Sequence, residues 1–168
     1  MERLPRLDIC CGARPAEGYL GVDIWPAGEE IRYANLDKRW PFDDNSVGVI
    51  RAVDALEHLH DPLHTMNEIW RVLAPGGWLL SMTPSTDGRG AFQDPTHVSW
   101  WNENSWWYWT HRNFHRYLPQ ESAAPCFQAV RLQTLFPTDW HRANNIPYVL
   151  ADLVALKEGY RAPGRVEI

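Results

Sequence analysis

The sequence predicts an α/β fold built on an open, mostly parallel sheet. Five short apolar runs, each followed by turn residues, predict strands. They cover residues 7–10, 19–24, 31–35, 47–53 and 78–83. An amphipathic helix separates the fourth run from the fifth, as in the crossover between two parallel strands. Two later runs, residues 127–136 and 148–156, have no strong helical pattern between them and predict an antiparallel hairpin at one edge of the sheet.

The crossover helix has clear start and stop signals. Asp61 is a favourable N-cap residue, and Pro62 follows at the first helical position. A stripe with the period of a helix comes next, formed by Leu63, Met66, Ile69, Trp70 and Leu73. The Pro-Gly-Gly sequence at residues 75–77 ends the helix before the fifth strand.

The connection between the first two strands is too short for a full helix. Asp23 ends the second strand only eleven residues after Gly12, which lies in the turn after the first strand. A dinucleotide site has three glycines in this turn and its acidic residue about 20 residues later. The spacing therefore predicts a truncated first crossover, with a turn of small residues beside a carboxylate. This arrangement suits an adenosine-containing ligand, because a carboxylate after the second strand accepts hydrogen bonds from ribose hydroxyls.

Composition narrows the class of protein. With 168 residues, a single domain covering residues 1–168 is expected. The formal net charge of −5 makes a nucleic-acid partner unlikely. No signal peptide and no long apolar run is visible, and the three cysteines show no disulfide or zinc spacing. These features predict a cytoplasmic protein without a membrane partner.

Tryptophan is unusually frequent, with 10 residues in the chain, and five of them fall between Trp100 and Trp109. They lie in a segment of about residues 84–119, here called the Trp-rich segment, which is too long for a simple connection. Neighbouring residues such as Trp106 and Trp107 point in different directions on a helix or strand. We therefore expect the segment to pack on the carboxyl edge of the sheet and close over an acceptor pocket, with contact to a second copy as a further option.

Several motifs resemble those of class I S-adenosylmethionine-dependent methyltransferases of the type 11 kind, in a branch with a short cofactor loop. They are the stretches LDICCG at 7–12, GVD at 21–23, LD at 36–37, WPFDDNSV at 40–47, ALEHL at 55–59 and RVLAPGG at 71–77. The last two, in this order, are the specific ones, and the resemblance covers about residues 7–98. It implies a Rossmann-like sheet, S-adenosylmethionine as cofactor and methyl transfer to a small or medium-sized acceptor.

The resemblance also implies a set of cofactor-binding residues. They are Asp8, Cys10, Cys11, Gly12, Arg14, Asp23, Ile24, Leu36, Asp37, Val53 and Asp54. In this scheme Asp8 lies near the methionine amino group, Asp23 binds the ribose, Ile24 packs on the adenine and Asp37 accepts from the adenine amino group. Asp8 could instead only hold the loop by accepting backbone N–H bonds.

Two positions depart from the family pattern. Cys10 stands where a glycine is usual, and Arg14 stands where a glycine is common. The truncated helix removes part of the N-terminus that would favour the methionine carboxylate. We expect Arg14 to supply that positive charge through a charge-assisted hydrogen bond.

Three residues are candidates for catalysis. Asp54 is expected closest to the transferred methyl group, and His58 and His97 are candidate general bases. Each histidine also has a structural interpretation: His58 could pack under the cofactor loop, and His97 could only pin the Trp-rich segment. Metal binding is not expected from the set His58, His60, Asp61, His64 and His97. Within this set only His60 and His64 have helical ligand spacing, and both should face solvent.

Two other classes of function remain open at this point. One is a catalytically silent S-adenosylmethionine-binding protein with a regulatory or structural role. The other is a nicotinamide-dependent oxidoreductase, which the missing G-x-G-x-x-G motif and the early acidic residue argue against.

Overall fold

Strands of the sheet follow the predicted apolar runs. The computed structural model describes residues 4–25, 27–118 and 125–157. Its seven strands stand in the order β3-β2-β1-β4-β5-β7-β6. They are β1 (Arg6–Ile9), β2 (Leu20–Asp23), β3 (Ile31–Tyr33), β4 (Val47–Val53), β5 (Leu73–Pro84), β6 (Cys126–Leu135) and β7 (Tyr148–Leu156).

The first five strands are parallel, and β7 pairs antiparallel with both β5 and β6. The predicted mostly parallel sheet with an antiparallel hairpin at its edge is therefore confirmed. β6 forms the outer edge of that hairpin. The helices are α1 (Pro62–Val72), α2 (Gly90–Gln93), α3 (Glu103–Thr110), α4 (Arg112–His115) and α5 (Asp139–Ala143), with a single 3₁₀ turn at Leu56–His58.

Helix α1 begins as predicted and ends earlier than predicted. The Asp61 carboxylate accepts from the N–H groups of Leu63 and His64, which caps the helix. Leu73, predicted to be helical, already pairs with Val47 as the first residue of β5. The Pro-Gly-Gly sequence is therefore an irregularity inside β5, with Gly76 at a φ of +78°, and not a separate loop.

The connection between β1 and β2, residues 10–19, contains no helix, which confirms the truncated first crossover. Asp8 holds this connection in place, because its carboxylate accepts from the N–H of Ala16 at 2.8 Å. The second oxygen of Asp8 accepts from the Arg51 guanidinium at 2.8 Å. An ion pair within the sheet therefore supports the loop that follows β1.

The core lies on one face of the sheet. Ile50, Leu79 and Ala151 are fully buried there, whereas Leu80 and Met82 on the opposite face are only half-buried. This difference follows from the missing helix, since a helix between β1 and β2 would add cover to the sheet.

Three tryptophans of the Trp-rich segment belong to the core. Trp101 packs against Trp106 and Trp109, with ring centroids 4.8 and 5.8 Å apart. Their neighbours face outward in part: Trp100 is 55% exposed and Trp107 is half-buried. Each pair of adjacent tryptophans thus has one ring in the core and one at the surface. Helix α3 begins with a capping box at Asn102, which the sequence analysis did not predict among the many aromatic residues.

Within the residues that the structure describes, no helix has the length and apolar character needed to cross a membrane.

Candidate active site

The carboxyl ends of β1 and β2 form one wall of the site. Cys10 and Gly12 turn the chain after β1 in the left-handed region, at φ values of +50° and +59°. The Gly12 N–H donates to the Asp23 carboxylate at 2.8 Å, which ties this turn to the end of β2. Gly21 permits the close approach, since a Cβ there would lie 2.9 Å from Cys11 Sγ.

Asp23 has hydrogen-bonding capacity left for a ligand. The side chain is 8% exposed, and its other oxygen accepts from the Trp25 N–H at 2.8 Å. A carboxylate offers about four acceptor positions, so both oxygens can accept further bonds. Two hydroxyl groups on neighbouring carbons, as in a ribose, match this capacity.

A cavity of about 610 Å³ opens in front of Asp23, which is within the size range of small-molecule sites. Eight residues predicted for the site line it together: Cys10, Gly12, Asp23, Ile24, Leu36, Asp37, Asp54 and His58. The other lining residues had no predicted role in the site; they are Ala13, Trp25, Ala27, Ala34, Asn35, Leu59 and His60. The cavity is therefore assembled from the ends of β1, β2 and β4 and the turn after β3.

Asp37 and His60, which both line this cavity, form a pair. Asp37 accepts from the backbone N–H of His60 at 2.9 Å and contacts the ring Nδ1 at 2.9 Å. The pair fixes the turn after β3 against the segment before α1. Asp37 retains acceptor positions on the cavity side.

Four of the predicted cofactor-binding residues do not line the cavity. Asp8 is 1% exposed and is occupied by Ala16 and Arg51, in the loop-holding role that the sequence analysis left open. Cys11 packs against β2 behind the turn. Val53 lines a separate hollow on the half-exposed face of the sheet, and Arg14 is solvent-exposed two residues past Gly12.

The Cys10 side chain presents a neutral thiol to the cavity. Burial, with the nearby Asp23 carboxylate as a second cause, raises the pKa of Cys10 to about 12. A thiol with such a pKa is a weak nucleophile at neutral pH. Cys10 can therefore contact a ligand but is unsuited to covalent chemistry.

A second cavity, of about 230 Å³, adjoins the first one. Asp54 and His58 line both cavities. Asp54 follows β4 with a φ of +48°, an unusual conformation that turns the chain at the junction. The third catalytic candidate, His97, lines the smaller cavity, with its ring centroid 5.0 Å from that of His58.

The Trp-rich segment contributes to the smaller cavity through its non-tryptophan residues, Gly90, Gln93, Asp94 and His97. Asp94 accepts from the N–H and hydroxyl of Thr96 at 2.8 and 2.6 Å, which shapes the loop before His97. These hydrogen bonds lower the pKa of the Asp94 carboxyl, so Asp94 is an anion at neutral pH.

Two residues of the smaller cavity were missed by the sequence analysis. Glu57 is 2% exposed, and burial raises the pKa of its carboxyl to about 8. Tyr148 starts β7, and burial together with the Asp54 carboxylate raises the pKa of its hydroxyl. No local pattern marks the burial of Glu57, which stands between Leu56 and His58, and only the pairing of β7 with β5 brings Tyr148 to the site.

Comparison with known proteins supplies independent information. A family model described as a methyltransferase domain matches residues 7–134. A probable S-adenosylmethionine-dependent methyltransferase of Mycolicibacterium smegmatis is 38% identical over 73 residues, which cover 41% of this chain and 28% of that relative. The chain thus matches less than a third of the relative's length.

Solved structures share the fold. One is a chain from the complex between the Haloferax volcanii Trm112 methyltransferase activator and a methyltransferase, with a TM-score of 0.66, 18% identity and coverage of 94% of this chain and 84% of that one. The YcgJ protein from Bacillus subtilis has a TM-score of 0.60 and 14% identity, with 93% of each chain covered. At these identities the likeness concerns the fold alone.

Proposed function

Since the chain belongs to the methyltransferase-domain family, whose cosubstrate is S-adenosylmethionine, we propose that it transfers the methyl group of this cosubstrate to a small or medium-sized acceptor. The observation that carries the proposal is the position of Asp23. This carboxylate ends β2, touches the turn after β1 and lines the larger cavity. It is where an adenosine ribose would place its hydroxyls in such a sheet.

The remaining walls of the larger cavity suit the other parts of S-adenosylmethionine. Ile24 and Leu36 offer apolar surface to the adenine, and Asp37 offers an acceptor for its amino group. Asp54 lies at the junction with the smaller cavity. In this proposal the sulfonium lies near Asp54, and the methyl group points into the smaller cavity.

Methyl transfer then depends mainly on aligning the acceptor atom, the methyl carbon and the sulfur. The acceptor atom attacks the methyl carbon, the carbon–sulfur bond breaks, and its electron pair stays on sulfur to give S-adenosylhomocysteine. The acceptor loses one proton. A site that holds acceptor, carbon and sulfur in line supplies much of the rate enhancement, and His58 and His97 lie on the acceptor side to take the proton from a hydroxyl.

Arg14 is the candidate for the methionine carboxylate. Its side chain is exposed, close in sequence to Gly12, and has no ion pair among the described residues. Asp8 is not assigned a ligand contact in this proposal, because it is 1% exposed and does not line the larger cavity.

Calorimetry with S-adenosylhomocysteine tests the cosubstrate assignment. We expect the full chain to bind it and Asp23→Ala to bind it about 1–3 kcal/mol more weakly, as for a lost hydrogen bond to a charged acceptor. Asp43→Ala removes an exposed carboxylate outside the cavity and should bind like the parent. Binding of NAD instead would identify the nicotinamide alternative.

A screen of small acceptors with methyl-labelled S-adenosylmethionine tests turnover. Release of S-adenosylhomocysteine with a labelled product supports the enzyme. Tight cosubstrate binding without methyl loss across a broad screen would identify the catalytically silent alternative. A homodimer through the Trp-rich segment and a cytoplasmic location stay predictions, and light scattering of the isolated chain tests the former.

A further inference from the structure

Three potential metal ligands meet beside the smaller cavity. The ligand atoms of Glu57, His58 and His97 lie within 4.8 Å of one another. Glu57 and His58 come from the 3₁₀ turn after β4, and His97 comes from the Trp-rich segment. The fold therefore brings together three potential metal ligands that are different from His60 and His64, the pair considered from sequence spacing.

The Glu57 carboxyl is the most informative member of this cluster. It is 2% exposed, and no side chain among the described residues hydrogen-bonds to either of its oxygens. The backbone N–H groups of Ala55 and Glu57 lie close enough to favour the anion but do not reach ordinary hydrogen-bond geometry. An unpaired buried polar group is costly, and a buried charge without a partner more so. Such a group in a native site points to a ligand that completes it.

In both histidines the hydrogen bonds to other described residues engage Nδ1, and none engages Nε2. His97 Nδ1 lies 2.9 Å from the carbonyl oxygen of Ala91. A carbonyl only accepts hydrogen bonds, so Nδ1 carries the proton and Nε2 keeps its lone pair. His58 Nδ1 similarly lies 3.3 Å from the carbonyl oxygen of Thr96. Histidines that bind metals commonly donate their other ring N–H to a backbone carbonyl in this way.

The surroundings favour a cation. Asp54 and Asp94 also line the cavity, and no lysine or arginine among the described residues does. A positive ion at the cluster would therefore meet several negative groups and no competing positive charge among the described lining residues.

We propose that Glu57, His58 and His97 bind a divalent transition-metal ion, of the kind of Zn²⁺ or Mn²⁺, which holds an oxygen of the methyl acceptor. The second part rests on the proposed methyltransferase function. Two imidazoles and one carboxylate suit transition metals better than Mg²⁺ or Ca²⁺, which prefer oxygen ligands. Metal–ligand bonds of about 2.0–2.2 Å place neighbouring ligand atoms of a tetrahedral ion about 3.4 Å apart. The ligand atoms of the three side chains would therefore have to approach one another by roughly 1 Å when the ion binds.

Three protein ligands leave a coordination position for the acceptor. In this arrangement His58 and His97 bind the metal ion instead of taking the proton, and a hydroxyl bound to such an ion loses its proton to water far below its ordinary pKa. The resulting oxygen anion attacks the methyl carbon, and the electron pair of the broken carbon–sulfur bond stays on sulfur, as in the proposed reaction. The acceptor class is then an oxygen-bearing small molecule, such as an alcohol, a phenol or a hydroxy acid.

Titration with the metal alone tests the site directly. A chelator-treated, tag-free full chain is titrated with MnCl₂ and with ZnCl₂ by calorimetry, and Co²⁺ absorption reports the ligand geometry. We expect one equivalent to bind, with affinity lowered at least about 10–100-fold in Glu57→Gln and His97→Gln. His64→Gln is the matched control, since His64 contacts the Lys38 carbonyl oxygen at 2.9 Å away from the cluster.

Two results would overturn the metal site: no stoichiometric binding by the parent chain, or parent-like binding by both cluster variants. Circular dichroism checks folding, and if Glu57→Gln does not fold, His97→Gln at a half-buried position decides alone. S-adenosylhomocysteine affinity is measured on the same metal-free samples. Cosubstrate binding without metal binding refutes only the metal site, whereas metal binding without cosubstrate binding refutes only the proposed function.

Discussion

Gly21→Ala is the sharpest test of how the turn after β1 is held against β2. The added Cβ would lie 2.9 Å from Cys11 Sγ and 3.1 Å from atoms of both Ile31 and Pro15. Overpacking of this kind costs about 1–3 kcal/mol. The smaller conformational freedom of alanine in the unfolded chain offsets about 0.4–1 kcal/mol of this cost. We therefore expect a net loss of about 0–2.6 kcal/mol, centred near about 1.3 kcal/mol, in the free energy of unfolding.

The same substitution should weaken cosubstrate binding. Pushing Cys11 outward moves the Gly12 N–H, which donates to Asp23 at 2.8 Å. Urea unfolding and calorimetry with S-adenosylhomocysteine measure the two effects. Gly28→Ala is the control, because a Cβ there meets nothing within 4 Å.

A double variant identifies the cause of the loss. Cys11→Ala combined with Gly21→Ala removes the 2.9 Å contact and should recover part of the stability. If Gly21→Ala is as stable as Gly28→Ala and binds the ligand as tightly, the close approach of turn and strand is not what shapes the site.

Three further predictions concern single residues. In the metal-free folded protein the pKa of the Glu57 carboxyl is raised to about 8, whereas in the unfolded chain this carboxyl ionises near pH 4.5. The protonated Glu57 carboxyl therefore contributes its full share of stability below pH 4.5. Between pH 4.5 and 8 the free energy of unfolding falls by up to about 1.4 kcal/mol per pH unit. Glu57→Gln should flatten that decline in urea unfolding from pH 5 to 9, and an unchanged slope would contradict the assignment. His97→Ala should lower turnover on an identified acceptor while S-adenosylhomocysteine affinity stays within about twofold; a parallel loss of both would place His97 in the cofactor site or the fold. Arg14→Gln should weaken S-adenosylmethionine binding by about 1 kcal/mol or more, and calorimetry showing parent-like affinity would exclude the carboxylate contact.

Much of the sheet could be predicted because its strands are short apolar runs separated by turn residues. The position of the cavity also followed from the sequence, since the carboxyl ends of adjacent parallel strands meet at one edge. That logic brought Gly12, Asp23 and Asp54 together correctly. The motifs identified the family, which the match over residues 7–134 confirms, whereas the short-loop branch stays a prediction.

The Trp-rich segment was harder to predict for physical reasons. Helices α2 and α4 have four residues each, too few to show a periodic pattern. In α3, Trp106 and Trp109 are buried three residues apart, but the intervening Trp107 and Tyr108 are also aromatic and mask the stripe.

Glu57 and Tyr148 could not be predicted as site residues for a different reason. Their importance comes from burial and from contacts between distant segments. Neither property can be derived from the local pattern around a residue, because the pairing of β7 with β5 determines which side chains reach the site.

A crystal structure of the full chain with S-adenosylhomocysteine is the most direct test of the central claim. The account predicts that the ribose hydroxyls lie within about 3.2 Å of the Asp23 carboxylate oxygens, with the adenine between Ile24 and Leu36. The sulfur should lie beside Asp54 at the junction of the two cavities. A ligand bound elsewhere, or with its ribose turned away from Asp23, would contradict the account.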